Sequence, residues 1–135
     1  MDGTAVRKLL ILDDDHTVAN TLGLILTGEK YEVQVAYSAE SASRLLGKWT
    51  PDVAIVDVLL PGMNGVDFSI LLQTACPACH VLLFTALPGL IGIVETARTN
   101  GHRFEVIEKP VPPLLMVNRI ADLLASGPGN PQFAA

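Results

Sequence analysis

The sequence predicts an α/β fold in which a five-stranded parallel sheet carries helices on both faces. Two observations lead there. Short apolar runs near residues 8–12, 32–36, 53–57, 80–85 and 104–108 alternate with helical patterns near 16–28, 39–48, 64–75, 89–100 and 112–125. Strict alternation of strand and helix builds right-handed crossovers, and hence a parallel sheet. The runs Leu9–Leu12, Val53–Val56 and Val81–Phe84 are apolar at consecutive positions, the mark of strands buried on both faces. Composition agrees: half of the 135 residues are hydrophobic and 17% are charged. A chain of this length buries a full core without staples.

The first strand, from Arg7-Lys8 through Leu12, ends in Asp13-Asp14-Asp15. Asp15 suits the N-cap of the next helix. That helix, over 16–28, puts Val18, Leu22, Ile25 and Leu26 on an inward stripe and leaves Ala19, Gly23 and Leu24 for a second, small apolar surface. Trp49 packs at the end of the helix over 39–48. The third strand ends on Asp57, and Pro61, Gly62 and Gly65 then force a shaped turn before the helix over 64–75. Cys76-Pro77-Ala78-Cys79 closes that helix ahead of a strand. A redox pair opens a helix after a strand, and zinc needs two further ligands where only His80 is adjacent, so neither role is expected.

The fourth strand, His80–Phe84, ends on Thr85-Ala86, and the fifth, Phe104–Glu108, ends on Lys109-Pro110. The helix over 89–100 opens Pro88-Gly89-Leu90-Ile91-Gly92-Ile93-Val94, apolar on more than one face. Such a surface calls for a partner. His16 and His102 read as surface residues. Residues 1–126 form one domain, and 127–135, rich in Gly and Pro, read as a flexible tail.

Chemistry gathers at the strand ends. In open α/β sheets, ligands bind beyond the carboxyl ends of the strands, and with strand order 2-1-3-4-5 the first and third strands meet at the switch point. Asp13, Asp14 and Asp57 then converge. Carboxylates about 5 Å apart repel by about 3 kcal/mol per pair at an effective dielectric of about 20. A cation must offset this, and oxygen-only ligands suit magnesium or a similar hard ion. Thr85 and Lys109 add a hydroxyl donor and an ammonium suited to an anionic phosphoryl group. Taken singly, each has an ordinary role: Asp57 as a helix cap, Thr85 bonded to backbone, Lys109 as a solvated charge.

The Asp13-Asp14 pair, Asp57 with Pro61-Gly62-Met63-Asn64-Gly65, Thr85-Ala86 and Lys109-Pro110 together resemble the receiver domain of two-component response regulators, over about residues 7 to 126. The resemblance implies a flavodoxin-like (βα)5 sandwich with strand order 2-1-3-4-5. It implies a phosphoprotein switch rather than an enzyme, with Asp57 accepting a phosphoryl group from a histidine kinase or phosphotransfer protein. Asp13, Asp14, Asp57 and the Leu59 carbonyl would hold magnesium or manganese. Thr85, Ala86 and Lys109 would bind the phosphoryl group and switch, and the Lys109–Pro110 peptide would be cis. The helix over 16–28 would dock on the kinase or phosphotransfer partner. A target, or a second copy, would dock on the surface formed by the helix over 89–100, the fifth strand and the helix over 112–125.

Two departures stand out. Val106 occupies the position where receivers commonly carry an aromatic switch residue, and Phe104 lies two residues earlier on the same strand face. The interval from Thr85 to Lys109 is about two residues longer than is common in the family. Leu59 and Leu87, two residues after Asp57 and Thr85, would flank the path of attacking water and restrain loss of the phosphoryl group.

A net charge of −5, with no basic patch, argues against direct nucleic-acid binding. No signal peptide is visible, so a cytoplasmic location is expected, and the resemblance, covering nearly the whole chain, leads to the expectation of a stand-alone domain. The stretch from Phe68 to Val94 lacks Asp, Glu, Lys and Arg, but Pro77, Pro88, Gly89 and Gly92 break it, so no membrane span is expected. Two rivals remain. One is a receiver-like protein-interaction scaffold that is never phosphorylated. The other is a haloacid dehalogenase-like phosphatase with Asp13 as nucleophile, suggested by Leu9–Val18; it leaves the Asp57 loop unexplained, and only Asp122 could supply its later acidic motif.

Overall fold

Parallel strands buried on both faces need a helical layer on each side, and the computed structural model has that arrangement. It describes residues 6–86, 92, 95–96, 99–101 and 104–127. The strands are β1 (Lys8–Leu12), β2 (Glu32–Ala36), β3 (Val53–Asp57), β4 (His80–Thr85) and β5 (Glu105–Glu108). The helices are α1 (His16–Gly28), α2 (Ala39–Leu46), α3 (Gly65–Ala75) and α4 (Pro113–Ala125). α4 is the last of the helices expected from the sequence; the one expected over 89–100, with Leu87 and His102, lies largely outside the described residues.

All strand pairs are parallel, in the order β2-β1-β3-β4-β5. β1, β3 and β4 occupy the centre, which is why they are apolar at consecutive positions over Leu9–Leu12, Val53–Val56 and Val81–Phe84. Alternate residues feed two cores. Leu10, Leu12, Ala54, Val56, Val81 and Leu83 face α2 and α3, with Phe68 and Leu72. Leu9, Ile11, Ile55, Leu82 and Phe84 face α1 and α4, with Leu26, Met116 and Ile120.

The helix termini follow their sequence signals. Asp15 caps α1 by accepting from Val18 N at 3.2 Å, Ser38 caps α2, and Asn64 caps α3 by accepting from Asp67 N at 2.9 Å. α4 has Pro112 as its N-cap, with Pro113 at the first helical position. α2 ends at Leu46, two residues before its expected end, because the Lys48 amide closes back onto Leu45 O at 3.0 Å. Phe104 precedes β5 rather than opening it. The cysteines are free, with Cys76 ending α3 and Cys79 buried ahead of β4. Burial pushes the Cys79 thiol well above its usual range, so it forms thiolate poorly.

The inward face of α1 differs from the expected stripe. Ala19, Leu22, Gly23 and Leu26 are buried, whereas Val18 and Ile25 flank the core half-buried. Close approach is the reason: a Cβ on Gly23 would lie 3.1 Å from Val35 Cγ2 of β2. The small residues therefore face the sheet, and Leu24, at 77% exposure, stays outside. The uncharged stretch from Phe68 is divided between α3 and β4, and among the described residues no helix is long and apolar enough to cross a membrane.

Gly65 sets how closely α3 meets the end of β3. A Cβ there would fall 2.0 Å from Asp57 O and 2.9 Å from Val58 Cα, contacts that only backbone movement relieves. Gly28, at the end of α1, has nothing within 4 Å of such a Cβ. Gly65→Ala is expected to lower the unfolding free energy by roughly 3 kcal/mol or more. Gly28→Ala is expected to leave it unchanged or to raise it by up to about 1 kcal/mol. Urea titrations of the two variants check the contrast.

Candidate functional site

The C-terminal ends of β1, β3, β4 and β5 open into a cleft of about 600 Å³, whose lining includes Asp13, Asp14, Asp57, Leu59, Thr85 and Lys109. Asp57 is the last residue of β3, paired across the sheet with Phe84. Its carboxylate reaches the cleft floor at 6% exposure, and Leu59 N donates to its Oδ1 at 3.3 Å. The loop beyond it is pinned, because Val58 N donates to Phe84 O at 3.1 Å and Gly65 N donates to Val58 O at 2.8 Å. Gly62 takes φ +80° in the same turn, a conformation that favours glycine.

Asp13 is fully buried at the end of β1. Its amide donates to Ala36 O at 3.2 Å, its Oδ1 accepts from Asp15 N at 2.9 Å, and its Oδ2 accepts from Lys109 Nζ at 3.0 Å. Lys109 Nζ also lies 3.4 Å from Asp57 Oδ2 and 4.4 Å from the centroid of the Phe84 ring. Asp14 is exposed, and carboxylate oxygens of Asp13, Asp14 and Asp57 all lie within 4.8 Å of one another. Thr85 is buried at the end of β4, its carbonyl accepting from Lys109 N at 2.9 Å. Ala86 stands exposed at the rim. The Lys109–Pro110 peptide is cis.

Electrostatics favours a cation here. Burial, then repulsion from Asp13, raise the Asp57 carboxyl from 3.8 to about 6 against the pull of Lys109. Burial lowers the Lys109 ammonium, but its hydrogen bond to Asp13 and the charge of Asp57 outweigh that, and its net direction is upward. Three carboxylates against one ammonium leave two excess negative charges when all are ionised. A divalent ion matches that excess, and the all-oxygen donors suit magnesium or manganese.

The structure therefore brings together every strand-end residue singled out from the sequence. Leu59 stands over the cleft at 56% exposure. Val106 is half-buried against the α2/α3 core, and Phe104 is buried in the same cluster, so both share a face. Sequence reasoning missed the Phe84 ring beneath Lys109. The signal available was an aromatic immediately before Thr85, but nothing in the sequence pairs it with a lysine 25 positions on.

The family model for the response regulator receiver domain matches residues 9–121. The chain belongs to this family. Regulatory protein VanR of Enterococcus faecium is 41% identical over 115 residues, covering 84% of this chain and 48% of that protein. DNA-binding response regulator MtrA of Mycolicibacterium smegmatis is 27% identical over 128 residues, 95% of this chain and 55% of that protein. The chain thus spans about half the length of these relatives. A CheY-like receiver domain protein from Methanospirillum hungatei superposes with a TM-score of 0.81 at 24% identity, covering 90% of this chain and 96% of that one, which shows the shared fold. Receiver domains are signalling modules that bind magnesium at an acidic pocket, and the cluster here is of that kind. The phosphatase alternative finds no support: Asp13 is tied to Asp15 N and Lys109 Nζ, and Asp122 is exposed on α4.

The raised Asp57 carboxyl makes a pH-dependent prediction for protein held in chelator. Between about pH 4 and pH 6 the folded state keeps a proton that the unfolded chain has lost, so stability falls as pH rises through this window. Asp57→Asn removes that loss. The stability gain of the variant over wild type is expected to grow from near zero at pH 4 to on the order of 2 kcal/mol above pH 6, then level off. Urea unfolding across pH 4–8 measures it; a pH-independent difference would contradict the account.

Proposed function

We propose that Asp57 accepts a phosphoryl group from a phosphohistidine of a histidine kinase or phosphotransfer protein, and that the resulting acyl phosphate switches the domain between two signalling states. The observation that carries this reading is the buried Asp57 carboxylate between Lys109 Nζ and Leu59 N, with Asp13 and Asp14 alongside. In the transfer, an Asp57 oxygen attacks phosphorus as the P–N bond to imidazole breaks, and the bonding pair stays on the ring nitrogen. With its pKa near 6, Asp57 is mostly ionised, and so nucleophilic, at pH 7.

Asp13, Asp14, Asp57 and the Leu59 carbonyl would hold magnesium or manganese, which would supply positive charge to offset that of the phosphoryl oxygens. Lys109 turns from the carboxylates toward the transferred group and pairs with its oxygens. Thr85 donates its hydroxyl to the same group, and Ala86 at the rim leaves room for it. This is a switch and not turnover of an external substrate. α1 receives the kinase or phosphotransfer partner. The surface around β5 and α4, where Leu114 and Leu115 are exposed, engages a downstream target or a second copy. A net charge of −5 disfavours direct contact with nucleic acid by these residues, and the reading carries a cytoplasmic location.

Intact mass after incubation with acetyl phosphate and magnesium tests the assignment. Wild type is expected to gain one phosphoryl adduct and Asp57→Asn none, with Asp13→Asn labelled slower by about tenfold or more. No adduct on wild type from either acetyl phosphate or a phosphorylated kinase would favour the unphosphorylated scaffold. An adduct kept in Asp57→Asn and lost in Asp13→Asn would move the nucleophile to Asp13.

A further inference from the structure

Lys109 has more to hold it than the two carboxylates. Nζ sits at the apex of three contacts: Asp13 Oδ2 at 3.0 Å, Asp57 Oδ2 at 3.4 Å, and the face of the Phe84 ring at 4.4 Å from its centroid. The two carboxylates are unequal, and Asp13 is the closer. A lysine side chain is a flexible four-carbon stem ending in a point charge, carrying about 2 kcal/mol of rotamer entropy. Carboxylates alone would let Nζ slide toward whichever partner is nearer. A ring beneath it restricts that freedom from a third direction, because the negative π face attracts an ammonium without taking its proton donors.

Phe84 is well placed for this. It is 1% exposed and belongs to the α1/α4 core with Leu82, Ile107 and Met116, so its ring is confined by packing. Its own carbonyl accepts from Val58 N beside Asp57, and the carbonyl of the next residue, Thr85, accepts from Lys109 N. One stretch of β4 backbone therefore indexes the ring to both the Asp57 loop and the lysine. Strand register places Phe84 directly beside Asp57 on one side and Ile107 on the other.

We infer that Phe84 is a positioning residue for Lys109, its ring face keeping the ammonium within reach of Asp57 as well as of the nearer Asp13. The function of that placement, readiness to pair with a phosphoryl group on Asp57, rests on the reading proposed above; the placement itself does not. Leucine at 84 keeps an apolar side chain in the core, with some loss of volume, but offers no charge-attracting face. Lys109 then rests on Asp13, farther from the reacting oxygen.

Two readouts on the full chain test this separately. The first is NMR of Lys109 in magnesium-free protein, where the Cε protons are expected to show an upfield ring-current shift that disappears in Phe84→Leu. Absence of the shift in wild type overturns the inference, whatever the fate of the phosphorylation reading. The second is the rate of acetyl phosphate labelling with magnesium. Phe84→Leu is expected to be slower by about fivefold, and 3,4,5-trifluorophenylalanine at 84, which keeps ring size but weakens its face, slower by about twofold to threefold. Wild-type rates in both variants overturn the inference. So does a slow Leu variant with an unimpaired trifluoro variant, since packing alone would then explain the loss. Should Phe84→Leu not fold, the near-isosteric fluorinated ring still decides. If wild type takes no label at all, the reading of Asp57 fails while the NMR result stands by itself.

Discussion

Asp13 and Asp57 are two carboxylates withdrawn from water within reach of one ammonium, and the surrounding architecture answers to that unfavourable placement. Neither acid could stay buried on a mobile loop. Each is instead the continuation of a central strand whose neighbours are apolar on both faces, so exposing the carboxylate would mean unzipping the middle of the sheet. The cost appears as the upward displacement of Asp57. It is met by the two cores that flank β1 and β3, not by the polar contacts of the site itself. Mutual repulsion of this kind is what a hard cation relieves, so the crowding of charge that displaces Asp57 upward also suits the cleft to such an ion.

The backbone around the cleft is correspondingly overdetermined. Val58 N to Phe84 O, Gly65 N to Val58 O and Lys109 N to Thr85 O tie β3, α3, β4 and the end of β5 into one frame. The absence of a side chain at Gly65 lets α3 begin close enough to complete it. A carboxylate on such a frame has little freedom to reorient, which favours chemistry that depends on alignment.

Much of this was legible in the sequence, for identifiable reasons. Consecutive apolar residues in Leu9–Leu12 and Val53–Val56, in runs too short for helices and alternating with helical patterns, mark strands covered twice, and an acid ending such a strand lies at the sheet edge. Pro61-Gly62 and Gly65 announced the turn. The helix faces were harder to read. Periodicity marked Val18 and Ile25 on α1 as inward, yet Ala19 and Gly23 face β2, because the distance at which a helix packs is set by its smallest residues and no period reports that distance. The Phe84–Lys109 contact was illegible for another reason: it joins residues that meet only when β4 and β5 pair. The deeply buried Asp13, tied to Asp15 N and Lys109 Nζ, likewise emerges only once β1 and β5 are placed on the same side of the sheet edge.

Val106 bears on how a charge added at Asp57 would be felt elsewhere. An aromatic at that position could swing between exposed and buried states, but Val106 is small, β-branched and packed against the α2/α3 core, and a valine has few rotamers to offer. Phe104 is already buried in that core. Under the proposed phosphorylation, the path outward therefore runs through backbone rather than through a turning ring. Lys109 moves off Asp13, and Thr85, whose carbonyl holds the Lys109 amide, sits at the end of β4. β5 is a four-residue edge strand tied on its outer side to α4 by Arg119 and Glu105 at 2.9 Å. A four-residue edge strand, paired on one side only among the described residues, is less costly to displace than the central strands. On the proposed reading, the charge that the central strands are built to withstand would be passed through β4 and Lys109 toward this edge of the sheet.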